Sequence, residues 1–115
     1  MTGHLTTHAL DTGAGCGAAG LKVQVRRLGP EPHDFGEIAL DEGGRGLLVA
    51  PGAFSPGVYE LAFKVGDYQR TKGAVLDQPA FLEEAPIRFG VSDAAGHWHV
   101  PLLFSLFGYT TYRGG

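Results

Sequence analysis

Near the end of the chain two histidines flank a tryptophan, in His97-Trp98-His99. If that stretch is extended, both imidazoles share one face, because strand side chains alternate. Such a pair can begin a zinc site. A catalytic zinc takes three protein ligands and keeps one position open. His4, His8 and His33 are the other histidines, and no spacing selects one of them as the third ligand. The plainer reading leaves His97 exposed and His99 satisfied by hydrogen bonds. Cys16 is the one cysteine. As a nucleophile it needs a neighbouring base and a lowered pKa. It sits in a loop of glycine and alanine with no charged neighbour close in sequence, so an inert thiol is the better reading. No GxSxG elbow surrounds Ser55, Ser92 or Ser105. Gly15-Cys16-Gly17-Ala18-Ala19-Gly20 fits the dinucleotide pattern GxGxxG, which has meaning only where a strand turns into a helix. Here the next segment alternates like a strand. The final Arg113-Gly114-Gly115 is the kind of end that adenylating enzymes activate in small modifiers and sulfur carriers. Those proteins wrap a sheet around a substantial helix. In this chain no stretch of helical pattern is long enough, and the approach to the terminus, 104–112, is apolar and aromatic.

The elements that must position these groups are short strands. Residues 5–10 alternate and are rich in threonine, and 21–26 alternate apolar with polar or charged, placing Leu21, Val23 and Val25 on one face. A weaker strand covers 35–40, and a brief one 47–49. Residues 58–65 form the clearest strand, with Tyr59, Leu61, Phe63 and Val65 on one face, and Gly66-Asp67 as a turn after it. Residues 74–84 are the best helical stretch, limited to a turn or two by Pro79. The last strands are 87–91 and 99–112, the latter bulged or at an edge at Pro101. Seven or eight strands and one short helix predict an all-β chain folded as a two-sheet antiparallel sandwich, with a closed barrel as second choice.

Composition narrows the function. The chain has 115 residues, enough for one domain spanning 1–115 and one core. Nineteen glycines and seven prolines favour tight turns over long helices. The net charge of −3 provides no basic field for a phosphate backbone, which argues against nucleic acid as a partner. No apolar stretch approaches the length of a membrane span. A lone cysteine excludes a secreted disulfide scaffold. With neither a signal peptide nor a peroxisomal terminus visible, the expected location is cytoplasmic.

Both ends carry longer motifs. Residues 5–12, Leu-Thr-Thr-His-Ala-Leu-Asp-Thr, resemble the opening of the transthyretin-like 5-hydroxyisourate hydrolases. Residues 99–109, His-Val-Pro-Leu-Leu-Phe-Ser-Leu-Phe-Gly-Tyr, resemble their last long strand. Tyr112-Arg113-Gly114-Gly115 resembles their terminal tetrapeptide, usually Tyr-Arg-Gly-Ser. Gly44-Arg45-Gly46 falls where they have an Asp-Gly-Arg turn, and Tyr59-Glu60-Leu61 and Gly66-Asp67-Tyr68 match their middle.

The resemblance implies a prealbumin-like sandwich of eight strands and a short helix. It implies a homotetramer, a dimer of dimers, with sites in the cleft between dimers. It also implies hydrolysis of 5-hydroxyisourate, the unstable product of urate oxidation, to 2-oxo-4-hydroxy-4-carboxy-5-ureidoimidazoline, with no metal or organic cofactor. His8, Arg45 and His99 match the family's catalytic positions. His8, Arg45, Tyr112, Arg113, Gly114 and Gly115 match its substrate-binding cleft. The types suit the reaction. A histidine can take a proton from water near neutral pH. An arginine stays charged and offers paired donors to substrate oxygens or an oxyanion. Four departures stand out: Gly115 replaces the terminal serine, Gly17 a common proline, Gly43 a common aspartate, and Leu106 a usual glutamine or proline. Two other functions compete. One is a transthyretin-like binding protein without catalysis, and the other is the diglycine modifier or sulfur carrier.

Overall fold

The structure is a computed structural model that describes residues 3–114. Among these residues, ten strand segments form two sheets, accompanied by one helix. The first sheet is built around β1 (His4–Asp11), whose Leu5, Thr7, Ala9 and Asp11 are buried while the alternate residues face outward. The first half of β1 lies between β5 (Arg45–Val49), antiparallel, and β8 (His97–His99), parallel. Its second half lies between the two-residue β2 (Cys16–Gly17) and β9 (Leu102–Phe104), the latter again parallel. β10 (Tyr109–Thr111) closes this sheet on the outer side of β9. The second sheet is wholly antiparallel, in the order β4 (His33–Ala39), β3 (Lys22–Gly29), β6 (Gly57–Phe63), β7 (Ala85–Val91).

The expected inward faces are the observed ones. Leu21, Val23, Val25, Tyr59, Leu61 and Phe63 are buried in the space between the sheets with Leu5, Phe54, Leu102 and Phe104. Each such side chain contributes roughly 1.5–3 kcal/mol by leaving water. Among the described residues, two buried polar groups interrupt the core, and both are satisfied. The Thr7 hydroxyl donates to the Val100 carbonyl at 2.7 Å. The Asp11 carboxylate accepts from the Gly13 and Ala14 amides and from the Tyr68 hydroxyl.

The structure changes three expectations. The helix is α1 (Val65–Thr71), where a turn was expected, and 74–84 is irregular chain. A seven-residue helix is too short to show its period in sequence; tertiary contacts hold it. Val65 and Tyr68, three apart, turn into the core. The Gly66 amide donates to the Glu83 carbonyl at 3.0 Å, and the approach is so close that a Cβ at Gly66 would lie 2.5 Å from Glu83 Oε1. Glu83 does not extend a helix. Its carboxylate accepts two bonds from Arg70 and one from the Ala80 amide. Those bonds pull its pKa down to about 2. Second, the single last strand is split into β8, β9 and β10. Pro101 has no N–H to give the ladder, and the chain leaves the sheet there. Third, β8 and β9 pair in parallel with β1, so the sandwich is not antiparallel throughout. The glycine pattern at 15–20 leads through a turn into β3, with no helix to receive a pyrophosphate. Among the described residues, no helix is long and apolar enough to cross a membrane.

Candidate active site

The outward residues of β1, β5 and β8 build one face. His4, Thr6 and His8 point outward from β1 because Leu5, Thr7 and Ala9 point in. Strand register then sets their neighbours. His8 stands opposite Arg45, Thr6 opposite both Leu47 and His99, and His4 opposite His97. An open groove of about 470 Å³ runs over this face, lined among others by Thr6, Asp41, Arg45, Leu47, His97 and His99.

Each group is held by a specific contact. The Arg45 turn is organised by Asp41, whose Oδ1 accepts from the Gly43 and Arg45 amides, each at 2.9 Å. Gly44 occupies the left-handed region at φ 77°, and a Cβ there would meet the Ala18 nitrogen and Ala9 oxygen at 2.5 Å. Only glycine closes the turn this tightly. His8 Nε2 lies 2.9 Å from the Gly43 carbonyl. A carbonyl only accepts, so His8 carries a proton on Nε2. His99 Nδ1 lies 2.8 Å from Thr6 Oγ1. Burial, then repulsion from His97, His8 and Arg45, lowers the His99 pKa below its ordinary 6.5. That direction favours the neutral imidazole, the form a general base needs.

The chain's tail reaches the same histidine. The Gly114 amide donates to the His99 carbonyl at 2.7 Å. Arg113 stacks its guanidinium on the Trp98 ring, 3.6 Å from the centroid, a cation–π contact. Tyr112 is exposed and lines a separate hollow of about 180 Å³ with Ile87, Phe89, Trp98 and Arg113. Of the residues picked from sequence, His8, Arg45, His99 and Gly114 come together. Tyr112 and Arg113 line the other hollow within one chain, and Gly115 lies outside the described residues. The bridged Gly114 lies on the sheet, unlike the free tether a modifier presents.

Three residues of the face were not assigned a role in the reaction from sequence. They are Thr6, His97 and Asp41. The signal for Thr6 was its spacing, two residues from His4 and two from His8. Asp41 begins a turn before two glycines, the position where its side chain can accept backbone amides. The departures at 17 and 43 meet in space: a Cβ at Gly17 would clash with the Gly43 carbonyl oxygen. Gly17 thus lets the Arg45 turn pack on β2. Among the described residues, no three His, Cys, Asp or Glu side chains converge as a metal site needs. Cys16 is exposed on β2, which pairs with the far end of β1.

A β-sandwich carrying four histidines and an arginine on the outer face of one sheet defines a class of small-molecule site built on strands rather than loops. The chain matches the HIUase/Transthyretin family over residues 5–114 and belongs to it. It is 49% identical to 5-hydroxyisourate hydrolase 2 of Rhizobium meliloti (strain 1021), over 98% of this chain and 97% of that one. Among solved structures it resembles Klebsiella pneumoniae 5-hydroxyisourate hydrolase, with a TM-score of 0.82 and 26% identity over 98% of this chain and 99% of that one. It also resembles (S)-allantoin synthase, with a TM-score of 0.93 and 38% identity over 99% of this chain. There it spans only 44% of the longer protein.

Proposed function

We propose that this chain is an enzyme that hydrolyses 5-hydroxyisourate without a cofactor. The observation that carries the reading is the strand register that sets His99 on the same outer face as the His8–Arg45 pair. We assign the roles as follows. His99 takes a proton from water, and the hydroxide formed attacks a ring carbonyl carbon. Arg45 stabilises the oxyanion of the tetrahedral intermediate. The ring C–N bond then breaks, and the departing nitrogen takes back the proton from the His99 imidazolium. His8, its Nε2 proton engaged by Gly43, presents Nδ1 to substrate or water as an acceptor.

The groove is open in one chain. We propose that a homotetramer, a dimer of dimers, closes it by bringing a second copy against this face. The Tyr112 and Arg113 side chains join the cleft there. Support comes from the open groove itself and from β10, an edge strand with all three residues exposed. An isolated exposed edge invites pairing with another copy. We place the enzyme in the cytoplasm on its single free thiol.

The test is decay of 5-hydroxyisourate, generated in place by urate oxidase, with and without the purified protein. A folded His8→Ala/His99→Ala variant serves as control. Wild type accelerates decay and the variant does not. Equal rates for both, matching the uncatalysed decay, overturn the reading. Light scattering at the assay concentration tests the assembly, and a monomer there refutes it.

A further inference from the structure

Thr6 Oγ1 stands between two imidazoles, 2.8 Å from His99 Nδ1 and 2.6 Å from His97 Nε2. A hydroxyl has one proton to give and two lone pairs. Both ring nitrogens therefore cannot be bare. One arrangement that satisfies both contacts has the Thr6 hydroxyl donating to His97 Nε2 and His99 Nδ1–H donating to Thr6 Oγ1. His97 is itself braced, since the His4 ring stacks on it at 4.3 Å with the planes 7° apart.

We infer that Thr6 and His97 are positioning residues, which fix the His99 tautomer so that its Nε2 is the bare nitrogen and its ring cannot turn. The register supplies the reason for the arrangement: parallel pairing of β1 with β8 sets Thr6 beside His99 and His4 beside His97. Without Thr6, the two tautomers of a neutral imidazole compete and the ring loses its anchor. Among the described residues, nothing partners His99 Nε2. This inference rests on the hydrolase reading for its kinetic consequence, but not for its structural one.

The test compares Thr6→Val, of the same shape but with no hydroxyl, with Thr6→Ser, which restores one. Thr6→Val lowers kcat roughly 10- to 100-fold, the scale expected when the group orienting a functional histidine is lost. KM changes less. The acid limb of the kcat/KM profile moves to lower pH, because Oγ1 accepts more strongly from the imidazolium than from the neutral ring. His97 from β8, His8 from β1, Arg45 from β5 and Asp41 at the groove's edge all remain in place. Thr6→Ser recovers most of the loss. Wild-type turnover and pH profile in Thr6→Val, or a loss that serine does not rescue, overturns the inference. Nitrogen NMR of labelled histidine reads the tautomer without any activity. Protonation of His99 at Nδ1 in wild type and a mixture in Thr6→Val support the inference. Protonation at Nε2 in wild type overturns it. If wild type fails to accelerate substrate decay, the hydrolase reading falls while the NMR result still decides this one.

Discussion

The amide of Gly114 donates to the carbonyl of His99 at 2.7 Å, laying the tail directly against the imidazole. A Cβ at 114 would lie 2.7 Å from His99 Cδ2 and 3.2 Å from its Cβ. Thr6 holds the ring, so either the tail lifts or the ring is pushed off its anchor. Gly114→Ala is expected to lower kcat/KM about tenfold. The thermal midpoint stays near wild type, because the tail is peripheral to the core. Steady-state kinetics beside a thermal melt check this, and unchanged turnover would show that the tail does not position the histidine.

Asp41 tests whether the Arg45 turn is preorganised. Asp41→Ala removes the acceptor for two amides, and each lost bond costs about 1 kcal/mol or less at this exposed site. Activity falls further than stability, since Arg45 loses its fixed direction. Asp41→Asn keeps an acceptor oxygen and retains most of the activity. Equal activity in the Ala and Asn variants would disconnect the turn from catalysis.

The pH profile follows from His99. Its pKa lies below the ordinary 6.5, so the base is available throughout the neutral range and kcat/KM falls only at pH below 6.5. Stability has a matching sign. Unfolded chains take up the proton near 6.5, before the folded protein does, so this histidine favours unfolding increasingly as pH drops below that value. A profile whose acid limb centres above 6.5 contradicts the assignment of His99 as base.

Gly17 and Gly43 are coupled by contact. Gly17→Ala drives a methyl into the Gly43 backbone oxygen, so the turn must move. The same oxygen accepts from His8. A loss of stability of roughly 1–3 kcal/mol, the usual scale for overpacking, is expected together with lower turnover. Denaturant titration and the decay assay measure the two effects. If neither changes, the turn is softer than its contacts imply.

Tyr68 fastens α1 to β1 away from the groove. Its hydroxyl donates to the buried Asp11 carboxylate at 3.2 Å. Burial, then the Asp11 charge, pushes the phenol up to about 12. Since an unfolded tyrosine ionises near 10, stability drops as pH rises through roughly 10–12. Tyr68→Phe removes that alkaline limb and costs about 1–3 kcal/mol by leaving Asp11 Oδ2 without its donor, while Oδ1 keeps its two amides. Turnover at neutral pH stays at the wild-type level. A strong loss of activity in a stable Tyr68→Phe protein would mean that α1 reaches the site.

Period-2 alternation in 21–26 and 58–65 was enough to place Val23, Val25, Leu61 and Phe63 in the core. A strand buries alternate side chains whatever its partner is. The end motifs pointed to His8 and His99, and the internal 44–46 turn pointed to Arg45. Other features had no local cause. α1 is seven residues long and exists because Val65 and Tyr68 enter the core and Gly66 meets Glu83. Composition alone favoured 74–84, whose Val75 and Phe81 find no place in the core. The parallel register of β1 with β8 decided that Thr6 reaches both His97 and His99, residues more than ninety positions away. Sequence determines which side of a strand a residue takes, because that depends on its immediate neighbours. Only the tertiary structure decides which strand lies alongside, and therefore which hydroxyl holds which imidazole.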